Sequence, residues 1–348
     1  MESKDIKSLT LDKLQMEFEK LGFPKYRGNQ VFRWVQQGAE SFEEMTNLPK
    51  DMRLFLEEHF FIPTVQIKQK YESKIDETVK YVFQLYDGEY VEAVLMKYHH
   101  GYSICISTQV GCRMGCDFCA TGKSGFTRNL SSSEMLGQIQ KAAKDNNIRI
   151  SNVVLMGMGE PLDNFDNVVS FLNLAGQKEG LGIGMRHISL STCGIADKIY
   201  KLADMKLQLT LSVSLHASND EIRQKTMPIA KKWNIEELLK ACKYYCDTTK
   251  RRISFEYAMI DGVNDSNNCA RELAVRLRGI LSHINLIPVN PIKETGYKKS
   301  SRERLKCFAD ILNEAGYSAT VRRTLGSDID ASCGQLRQKQ RGLRDHEN

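Results

Sequence analysis

From Tyr102 onward, short apolar runs alternate with amphipathic segments whose apolar residues recur at helical spacing. Such alternation predicts parallel strands connected by crossover helices. The predicted strands are SICISTQ, NVVLMG, HISLSTC, LTLSVSLH, ISFEYAMI, INLIPVN and YSATVRR. A closed eight-fold barrel usually needs about 250 residues, and only six or seven strand–helix units fit between residues 102 and 325. The pattern therefore predicts an α/β fold with a partial barrel, in preference to an open doubly wound sheet.

The residues before this region follow other patterns. Residues 1–60 have apolar residues at helical spacing, as in LTLDKLQMEFEKLGF and YRGNQVFRWVQQG, and predict a helical accessory module. Residues 61–98 contain two β-rich runs around Asp87–Gly88, which predict a β-hairpin extension. We therefore expect a catalytic core at 99–336 and a short basic tail at 337–348.

Composition narrows the class of protein. The chain has 348 residues, of which 41% are hydrophobic, and its net charge is +6, a balance that permits an anionic partner without requiring one. No apolar run approaches the ~20 residues of a membrane helix, and MESKDIKSLTLDKLQMEFEK lacks the apolar centre of a secretory signal. The sequence therefore predicts a cytoplasmic protein without a membrane partner. Ten cysteines in a reducing compartment indicate metal binding or catalysis.

Three of the cysteines form a cluster directly after the first predicted strand of the core. Cys112, Cys116 and Cys119 have the spacing Cys-x3-Cys-x2-Cys. Thiolates are the usual ligands of iron–sulfur clusters, and three of them can hold three corners of a 4Fe–4S cube, leaving one iron open to a small molecule. A zinc site or simple core cysteines are the alternatives, but zinc would need a fourth Cys or His nearby, and none lies in this loop.

Polar and glycine residues recur where the following strands end. Because ligands of α/β proteins bind at the carboxyl ends of strands, these positions predict a binding site, although any one of them alone would suit a structural role. They are Gly159, Glu160, Ser191, Ser214, Leu215, His216 and Asn290.

The cysteine spacing, with Phe118 as its aromatic residue, resembles the signature of the radical S-adenosylmethionine (radical SAM) superfamily. The resemblance implies a partial (β/α)6 barrel and a 4Fe–4S cluster bound by Cys112, Cys116 and Cys119. It also implies that the open iron binds S-adenosylmethionine, which one-electron reduction cleaves to a 5′-deoxyadenosyl radical. Gly159 and Glu160 match the superfamily's motif for the methionine amine, and the other strand-end residues become cofactor contacts.

Further motifs resemble the RlmN/Cfr family of RNA adenine methyltransferases over residues 22 to 336: GYSICISTQVGC, FTRNL, GMGEPL, SLHASNDEIR, INLIPVNP and TLGSDIDASCGQL. The family chemistry implies that Cys333 is methylated by one S-adenosylmethionine and that a second yields the radical that activates this S-methyl group. Cys105 matches the cysteine that resolves the RNA adduct by a transient disulfide with Cys333. Glu92, which would otherwise be taken for an exposed strand carboxylate, matches the proton acceptor. The sequence does not divide proton removal between Glu92 and Cys105.

Within that family, Pro161 and the segment 217–220 resemble the branch that methylates carbon 2. This implies as substrates an adenosine of the peptidyl-transferase region of 23S rRNA and the adenosine 3′ to the anticodon of tRNA. An electron donor, flavodoxin-like or equivalent, is also required, and the sequence does not identify it. Methylation of carbon 8, an antibiotic-resistance activity, is the alternative. A non-catalytic iron–sulfur RNA-binding protein is a second alternative, for which Cys105 and Cys333 would have no use. We expect a monomer.

RNA binding is also plausible from the basic residues, although each could be a solvated surface charge. Phosphates and an unstacked base are contacted by Lys, Arg and aromatic side chains. The candidates are Lys25, Arg27, Arg33, Trp34, Lys298, Lys299, Arg302, Arg304, Arg322 and Arg323. The remaining cysteines, including Cys193, are expected to be structural.

Overall fold

The computed structural model describes residues 3–292 and 295–336. The basic tail expected at 337–348 lies outside the described residues. None of the helices in the described ranges is long and apolar enough to cross a membrane.

The strands and helices follow the predicted alternation. The strands are β1 Lys4–Asp5, β2 Phe60–Phe61, β3 Gln66–Glu72, β4 Val79–Gln84, β5 Tyr90–Tyr98, β6 Gly101–Cys105, β7 Gln109–Gly111, β8 Phe126–Asn129, β9 Ile150–Leu155, β10 Ile188–Thr192, β11 Thr210–Ser214, β12 Ile253–Met259, β13 Ser282–Pro288 and β14 Ser318–Val321. The helices are α1 Leu11–Lys20, α2 Lys25–Gln36, α3 Lys50–His59, α4 Ala120–Lys123, α5 Ser132–Asn146, α6 Phe165–Ala175, α7 Ala196–Asp204, α8 Asp220–Thr226, α9 Ile235–Thr249, α10 Asn267–Arg276 and α11 Arg302–Glu314.

One large sheet organises the described part of the chain. Its order is β14-β13-β12-β11-β10-β9-β6-β5-β4-β3. Strands β6 and β9 to β14 run parallel to one another, and helices α5, α6, α7, α9, α10 and α11 cross between them. Because β3 and β14 are free edges, the sheet does not close, which confirms the partial barrel. Each of the predicted barrel strands overlaps one of these parallel strands, although β6, β9 and β13 begin two residues earlier than predicted.

The extension differs from its prediction in one respect. The Asp87–Gly88 hairpin is confirmed, since β4 and β5 pair antiparallel on either side of it. A further strand, β3, pairs with β4, and β5 pairs with β6, so the extension continues the barrel sheet. The sequence pattern missed β3 because QIKQKYE is mostly polar and mostly exposed, whereas β5 is buried over six of its nine residues.

The first predicted barrel strand also ends earlier than expected. SICISTQ stops pairing at Cys105, and β7 instead pairs with β8 in a separate small sheet. Gln138 of α5 fixes the break, because its side chain accepts from Ser107 N at 2.9 Å and donates to Ser107 O at 3.0 Å. This break after β6 directs the chain away from the sheet, so that the cysteine triad lies above the barrel.

The N-terminal helices pack on the outside of the barrel against α5. This helix begins with a capping box of Ser131 and Glu134, and Ser133 Oγ donates to Asp5 Oδ2 at 2.5 Å. Gln140 Nε2 donates to Gln36 O at 2.7 Å. Buried residues of the helical segment and of the barrel belong to one continuous apolar core.

Candidate active site

A cavity lies at the carboxyl ends of the parallel strands, where the strand-end residues were expected to meet. It brings together most of the predicted site residues: Cys112, Cys116, Cys119, Gly159, Glu160, Ser191, Ser214, His216, Asn290 and Cys333. Three predicted residues, Glu92, Cys105 and Leu215, do not line it. Leu215 is 1% exposed and contributes its backbone N–H, which donates to Glu256 O at 3.0 Å.

One wall is the cysteine loop, residues 112–119. Cys112 N donates to Gly125 O at 2.7 Å, and Cys119 N donates to Cys116 O at 3.2 Å. Gly111, which enters the loop, has φ +75°, and a Cβ there would lie 2.0 Å from Gly125 O. Only glycine fits this close backbone approach, so the loop geometry is set by its immediate sequence.

Burial controls the chemistry of these thiols. Burial raises the pKa of Cys112 to about 12, and burial together with the thiols of Cys119 and Cys112 raises the pKa of Cys116 well above its ordinary value. Such thiols stay protonated unless a cation stabilises the thiolate. Within residues 3–292 and 295–336, no three Cys, His, Asp or Glu side chains converge on a single-ion site. The donor set, three thiols on one cavity wall, fits the 4Fe–4S cluster that the superfamily implies.

The adjoining wall carries a buried carboxylate. Glu160 is 4% exposed, and its oxygens accept from Leu162 N at 2.9 Å and Cys193 N at 2.7 Å. Burial raises the pKa of Glu160, so an ammonium group bound there would favour its ionised form. Gly159 precedes it with φ +104°, and a Cβ there would lie 2.6 Å from Gln109 Cβ. These residues could hold a ligand ammonium at the cysteine loop.

His216 is a neutral hydrogen-bond donor in this cavity. Its Nδ1 accepts from Ala258 N at 2.8 Å, which leaves the proton on Nε2. Burial lowers the pKa of His216 to about 3. Phe118 meets its ring edge-on at 4.8 Å between centroids. The ring is therefore suited to recognition and not to acid–base catalysis near neutral pH.

A further wall is the Cys333 loop, residues 326–336, of which Cys333 and Gly334 line the cavity. Asn290 Nδ2 donates to Cys333 O at 3.0 Å. Two bonds connect this loop to α4, the helix that begins directly after the cysteine loop: Ala120 N to Gly334 O at 2.8 Å and Thr121 Oγ1 to Leu336 O at 2.6 Å. The loops that carry Cys333 and the cysteine triad are thus fixed to each other.

Cys105 lies near Cys333 at the end of β6. Burial, and to a lesser degree the Cys333 thiol, raises the pKa of Cys105 to about 12. The ten cysteines all lie in the described part of the chain, and all are free thiols. The transient disulfide implied for Cys105 and Cys333 is therefore not formed in this structure.

Glu92 is buried, contrary to the exposed strand carboxylate that its sequence surroundings suggest. It is 3% exposed, and Lys80 Nζ lies 3.9 Å from its Oε1. Its strand β5 is an interior strand, paired with β4 and β6 along its two edges, and six of its nine residues are buried. Glu92 and Val94 point to the same face of β5, and Val94 pairs with Cys105. Glu92 and Cys105 therefore share one face of the sheet.

Among the charged residues of the cavity, the sequence patterns missed Glu256 and assigned Arg322 to another role. Glu256 is 4% exposed and accepts from Asn285 Nδ2 at 2.8 Å; a carboxylate within the apolar run ISFEYAMI was the signal. Arg322 was assigned to RNA phosphates, but it lines the cavity with Nη1 4.0 Å from Glu256 Oε2. Cys333, and then Glu256 and Cys105, raise the pKa of Arg322. Among the other basic candidates, Lys25, Arg33, Lys298, Lys299, Arg302, Arg304 and Arg323 are exposed.

Two family models match the chain. Residues 106–270 match the radical SAM superfamily, and residues 4–62 match the N-terminal domain of the ribosomal RNA large subunit methyltransferases. The first match contains the cysteine loop and the Glu160 wall of the cavity.

Relatives and a solved structure match over nearly the whole length. A probable dual-specificity RNA methyltransferase RlmN of Alkaliphilus oremlandii is 52% identical, with 97% of this chain and 99% of the relative covered. The Clostridium novyi protein of the same name is also 52% identical, with 96% and 98% covered. The crystal structure of a radical SAM methyltransferase from Sphaerobacter thermophilus is 40% identical and superposes with a TM-score of 0.92, covering 97% of this chain and 100% of that one. With its cysteine loop, partial barrel and full-length relatives, the chain belongs to the RlmN family of radical SAM RNA methyltransferases.

Proposed function

We propose that this enzyme methylates carbon 2 of an adenosine in the peptidyl-transferase region of 23S rRNA and of the adenosine 3′ to the anticodon in tRNA. The observation that carries the proposal is that the Cys333 loop and the cysteine loop face one cavity and are fixed together through α4. Relatives named dual-specificity RNA methyltransferases support the two RNA substrates. We place the enzyme in the cytoplasm, where both RNAs occur.

The cavity offers separate places for the cluster and for the cosubstrate. Cys112, Cys116 and Cys119 would hold a 4Fe–4S cluster, and Glu160 would accept from the ammonium of S-adenosylmethionine. The remaining contacts to this molecule are assigned to Gly159, Ser191, Ser214, Leu215, His216 and Asn290. When bound, the cluster supplies the electron that cleaves the sulfonium.

Cys333 would act twice, consuming two molecules of S-adenosylmethionine per turnover. Its thiolate first displaces S-adenosylhomocysteine from the sulfonium and becomes an S-methyl thioether. The S-methyl group then gives a hydrogen atom to the 5′-deoxyadenosyl radical, and the carbon radical bonds to carbon 2 of adenine. This order overcomes the lack of a nucleophilic lone pair on carbon 2, which excludes direct transfer of an electrophilic methyl group.

Cys105 and Glu92 would complete the reaction. The adduct radical must lose one electron, for which the cluster would be the acceptor, and the proton of carbon 2. Glu92 lies on the same sheet face as Cys105 and is assigned as the acceptor of this proton. Because Cys105 has a pKa of about 12, it also needs a base before its thiolate can attack the Cys333 sulfur. That attack forms the disulfide and breaks the bond from sulfur to the methylene carbon, which takes a proton and leaves as the methyl group of the product. The target adenine must leave its stack to reach these groups.

The exposed basic residues at both ends of the chain are proposed to contact RNA phosphates, which would make binding depend on salt. We also propose that an external electron donor of flavodoxin type reduces the cluster and that the enzyme acts as a monomer. Methylation of carbon 8 is the second candidate, since the same cysteine chemistry serves both positions.

The test is nucleoside mass spectrometry of rRNA and tRNA after anaerobic reaction of the reconstituted enzyme with S-adenosylmethionine and a reductant. We expect 2-methyladenosine in both RNAs. 8-Methyladenosine would move the enzyme to the second candidate. Formation of 5′-deoxyadenosine without any methylated adenosine would contradict the RNA assignment. The variant C307A, which changes an exposed cysteine, is the matched control.

A further inference from the structure

Arg223 is a charged residue in the protein interior. It has no role in the proposed mechanism. It lies on α8, and its side chain is fully buried, with 0% exposure. Taking a guanidinium out of water is strongly unfavourable unless other groups compensate its charge. The surroundings of Arg223 therefore need an explanation.

Its hydrogen-bond acceptors are backbone carbonyls. Nη2 donates to Cys193 O at 2.6 Å and to Ser214 O at 3.4 Å. Nε donates to Leu215 O at 3.2 Å, and Nη1 donates to Trp233 O at 3.4 Å. The side chain therefore connects the segment that follows β10 with the end of β11.

These two segments carry cavity residues. Ser191 and Thr192 end β10, and Ser214 and His216 lie at the end of β11. Gly194 admits the guanidinium between them: its φ is +103°, and a Cβ there would lie 3.1 Å from Arg223 Nη2. One planar side chain with five donors can span both segments, which a smaller donor cannot do.

The charge of Arg223 has no carboxylate partner in contact. Among the ion pairs of the described ranges, within 4.0 Å, none includes Arg223. Asp220, on the same helix, uses its Oδ1 to accept from Ile235 N at 2.8 Å. Asp220 acts on Arg223 through its charge, but no carboxylate contacts the guanidinium within these ranges, so the cavity side is a further source of negative charge.

The helix that carries Arg223 contacts the cysteine loop, because Thr226 O on α8 accepts from Asp117 N at 2.8 Å. Arg223 itself donates to Cys193 O at 2.6 Å, and Cys193 lines the cavity together with Cys116. Burial lowers the pKa of Arg223. A 4Fe–4S core with three thiolates is an anion, and reduction adds one more negative charge.

We propose that Arg223 is the counter-cation of the cluster and the positioning residue that holds the two S-adenosylmethionine segments together. This inference rests on the cluster and cosubstrate sites of the proposed function. A fixed cation stabilises the reduced cluster more than the oxidised one, which raises its reduction potential. The carbonyl contacts fix where the charge sits and how the two segments are spaced.

The test uses the reconstituted holoenzyme and its variants R223Q, R223K and R251Q. Arg251 is the matched control, because it precedes β12 at the opposite end of the barrel and its Nη2 contacts Thr210 Oγ1 at 3.5 Å. Cluster reduction is followed by EPR at controlled potentials, and S-adenosylmethionine binding to the oxidised holoenzyme is measured by equilibrium dialysis.

We expect R223Q to reduce the ratio of reduced to oxidised cluster at a fixed potential by about tenfold. R223K should keep this ratio near that of the wild type but bind S-adenosylmethionine about tenfold more weakly, because an ammonium cannot span both segments. R251Q should change neither quantity.

Two results would overturn the inference. One is a reduction ratio in R223Q equal to that of the wild type. The other is unchanged S-adenosylmethionine affinity in R223K, which decides the matter even where R223Q does not fold. A wild-type enzyme that assembles no 4Fe–4S cluster would instead refute the cluster assignment itself, so the two failures are distinguishable.

Discussion

The cysteine loop and the Cys333 loop line one cavity but are held in different ways. The cysteine loop bonds both to a nearby residue, Gly125, and to a distant one, Thr226, which accepts from Asp117 N at 2.8 Å. The Cys333 loop is fixed by distant ones: Gly326 N donates to Asp76 Oδ2 at 2.9 Å, and Asp328 Oδ1 accepts from Ser73 Oγ at 2.8 Å. The spacing and the entry turn of the metal-binding loop are thus encoded locally, whereas the position of the carrier thiol depends on distant parts of the fold.

The comparison also explains why the extension exists as part of the sheet. Ser73 and Asp76 lie in the turn between β3 and β4, so the antiparallel strands provide anchors for the Cys333 loop. The proposed acceptor Glu92 comes from the neighbouring strand β5. The extension therefore supports the Cys333 loop from outside the cavity.

The largest expected effect is that of removing a cluster ligand. C112A should abolish the iron–sulfur absorbance near 400 nm and reduce 5′-deoxyadenosine formation by more than about 100-fold, since even outer-shell changes at metal sites cause losses of 10–100-fold. Absorbance and 5′-deoxyadenosine are measured after anaerobic reconstitution, with C307A as control. Retained absorbance in C112A would show that this cysteine is not a ligand.

The variant C333A should distinguish the role of the Cys333 loop from that of the cysteine loop. The cluster absorbance should remain, because Cys333 is not among the expected ligands, while RNA methylation should fall below detection because the methyl carrier is gone. Mass spectrometry of the RNA measures the loss, and S-adenosylmethionine cleavage measures what remains. Methylated adenosine produced by C333A would rule out the S-methylcysteine pathway.

E92Q should slow methylation by about 10²- to 10⁴-fold, the usual contribution of a general base. It keeps the shape of the side chain and removes its basicity. Cluster absorbance should be unchanged and the RNA adduct should accumulate, which denaturing gel electrophoresis detects. A wild-type rate in E92Q would leave proton removal to Cys105 or another group.

H216N should remove a pH dependence of stability. Because burial lowers the pKa of His216 to about 3, the unfolded chain binds a proton here at a higher pH than the folded one does. The contribution of His216 to the free energy of unfolding is therefore fully present above pH 6.5, and it falls by about 2 kcal/mol by pH 5. Asn tolerates the φ of +54° at this position. Urea unfolding at pH 7.5 and pH 5 measures how much the free energy of unfolding decreases between the two pH values. An equal decrease in H216N and in the wild type would contradict this assignment.

D328A should have the smallest effect and should act only on the Cys333 loop. Asp328 accepts from Ser73 Oγ and from Lys74 N, each at 2.8 Å. Because these bonds are exposed, their loss should loosen the Cys333 loop only slightly, so we expect methylation to be slowed by less than about fivefold, with normal cluster absorbance. D310A, an exposed carboxylate on α11 paired with Lys306, is the control. A change in the cluster absorbance of D328A would mean that the Cys333 loop also affects the cluster site in the cysteine loop.

The sequence predicted what local patterns encode. The parallel strands, the Asp87–Gly88 hairpin and the strand-end residues around Glu160 follow from periodicity and turn residues, and the structure confirms their places. The spacing of the cysteine triad pointed to an iron–sulfur ligand set for the same reason, since a loop of eight residues contains it.

Features that depend on distant residues were not predictable in this way. Burial of Glu92 depends on β4 and β6, and the turn of Arg322 into the cavity depends on Glu256, 66 positions earlier. Cys105 and Cys333 were paired by family resemblance, because no local pattern connects them. Arg223 looked like one more charge on a helix, although its whole side chain is buried.

The bonds between α4 and the Cys333 loop also bear on how the molecule is assembled. One of these bonds connects Thr121 with Leu336, and these two residues are 215 positions apart. During synthesis the triad leaves the ribosome long before Cys333 does, so the last wall of the cavity is also the last to be made. Until then the three thiols face an open side, through which iron and sulfide can reach them. A nascent chain stalled before residue 326 should therefore accept its cluster more readily than the finished protein.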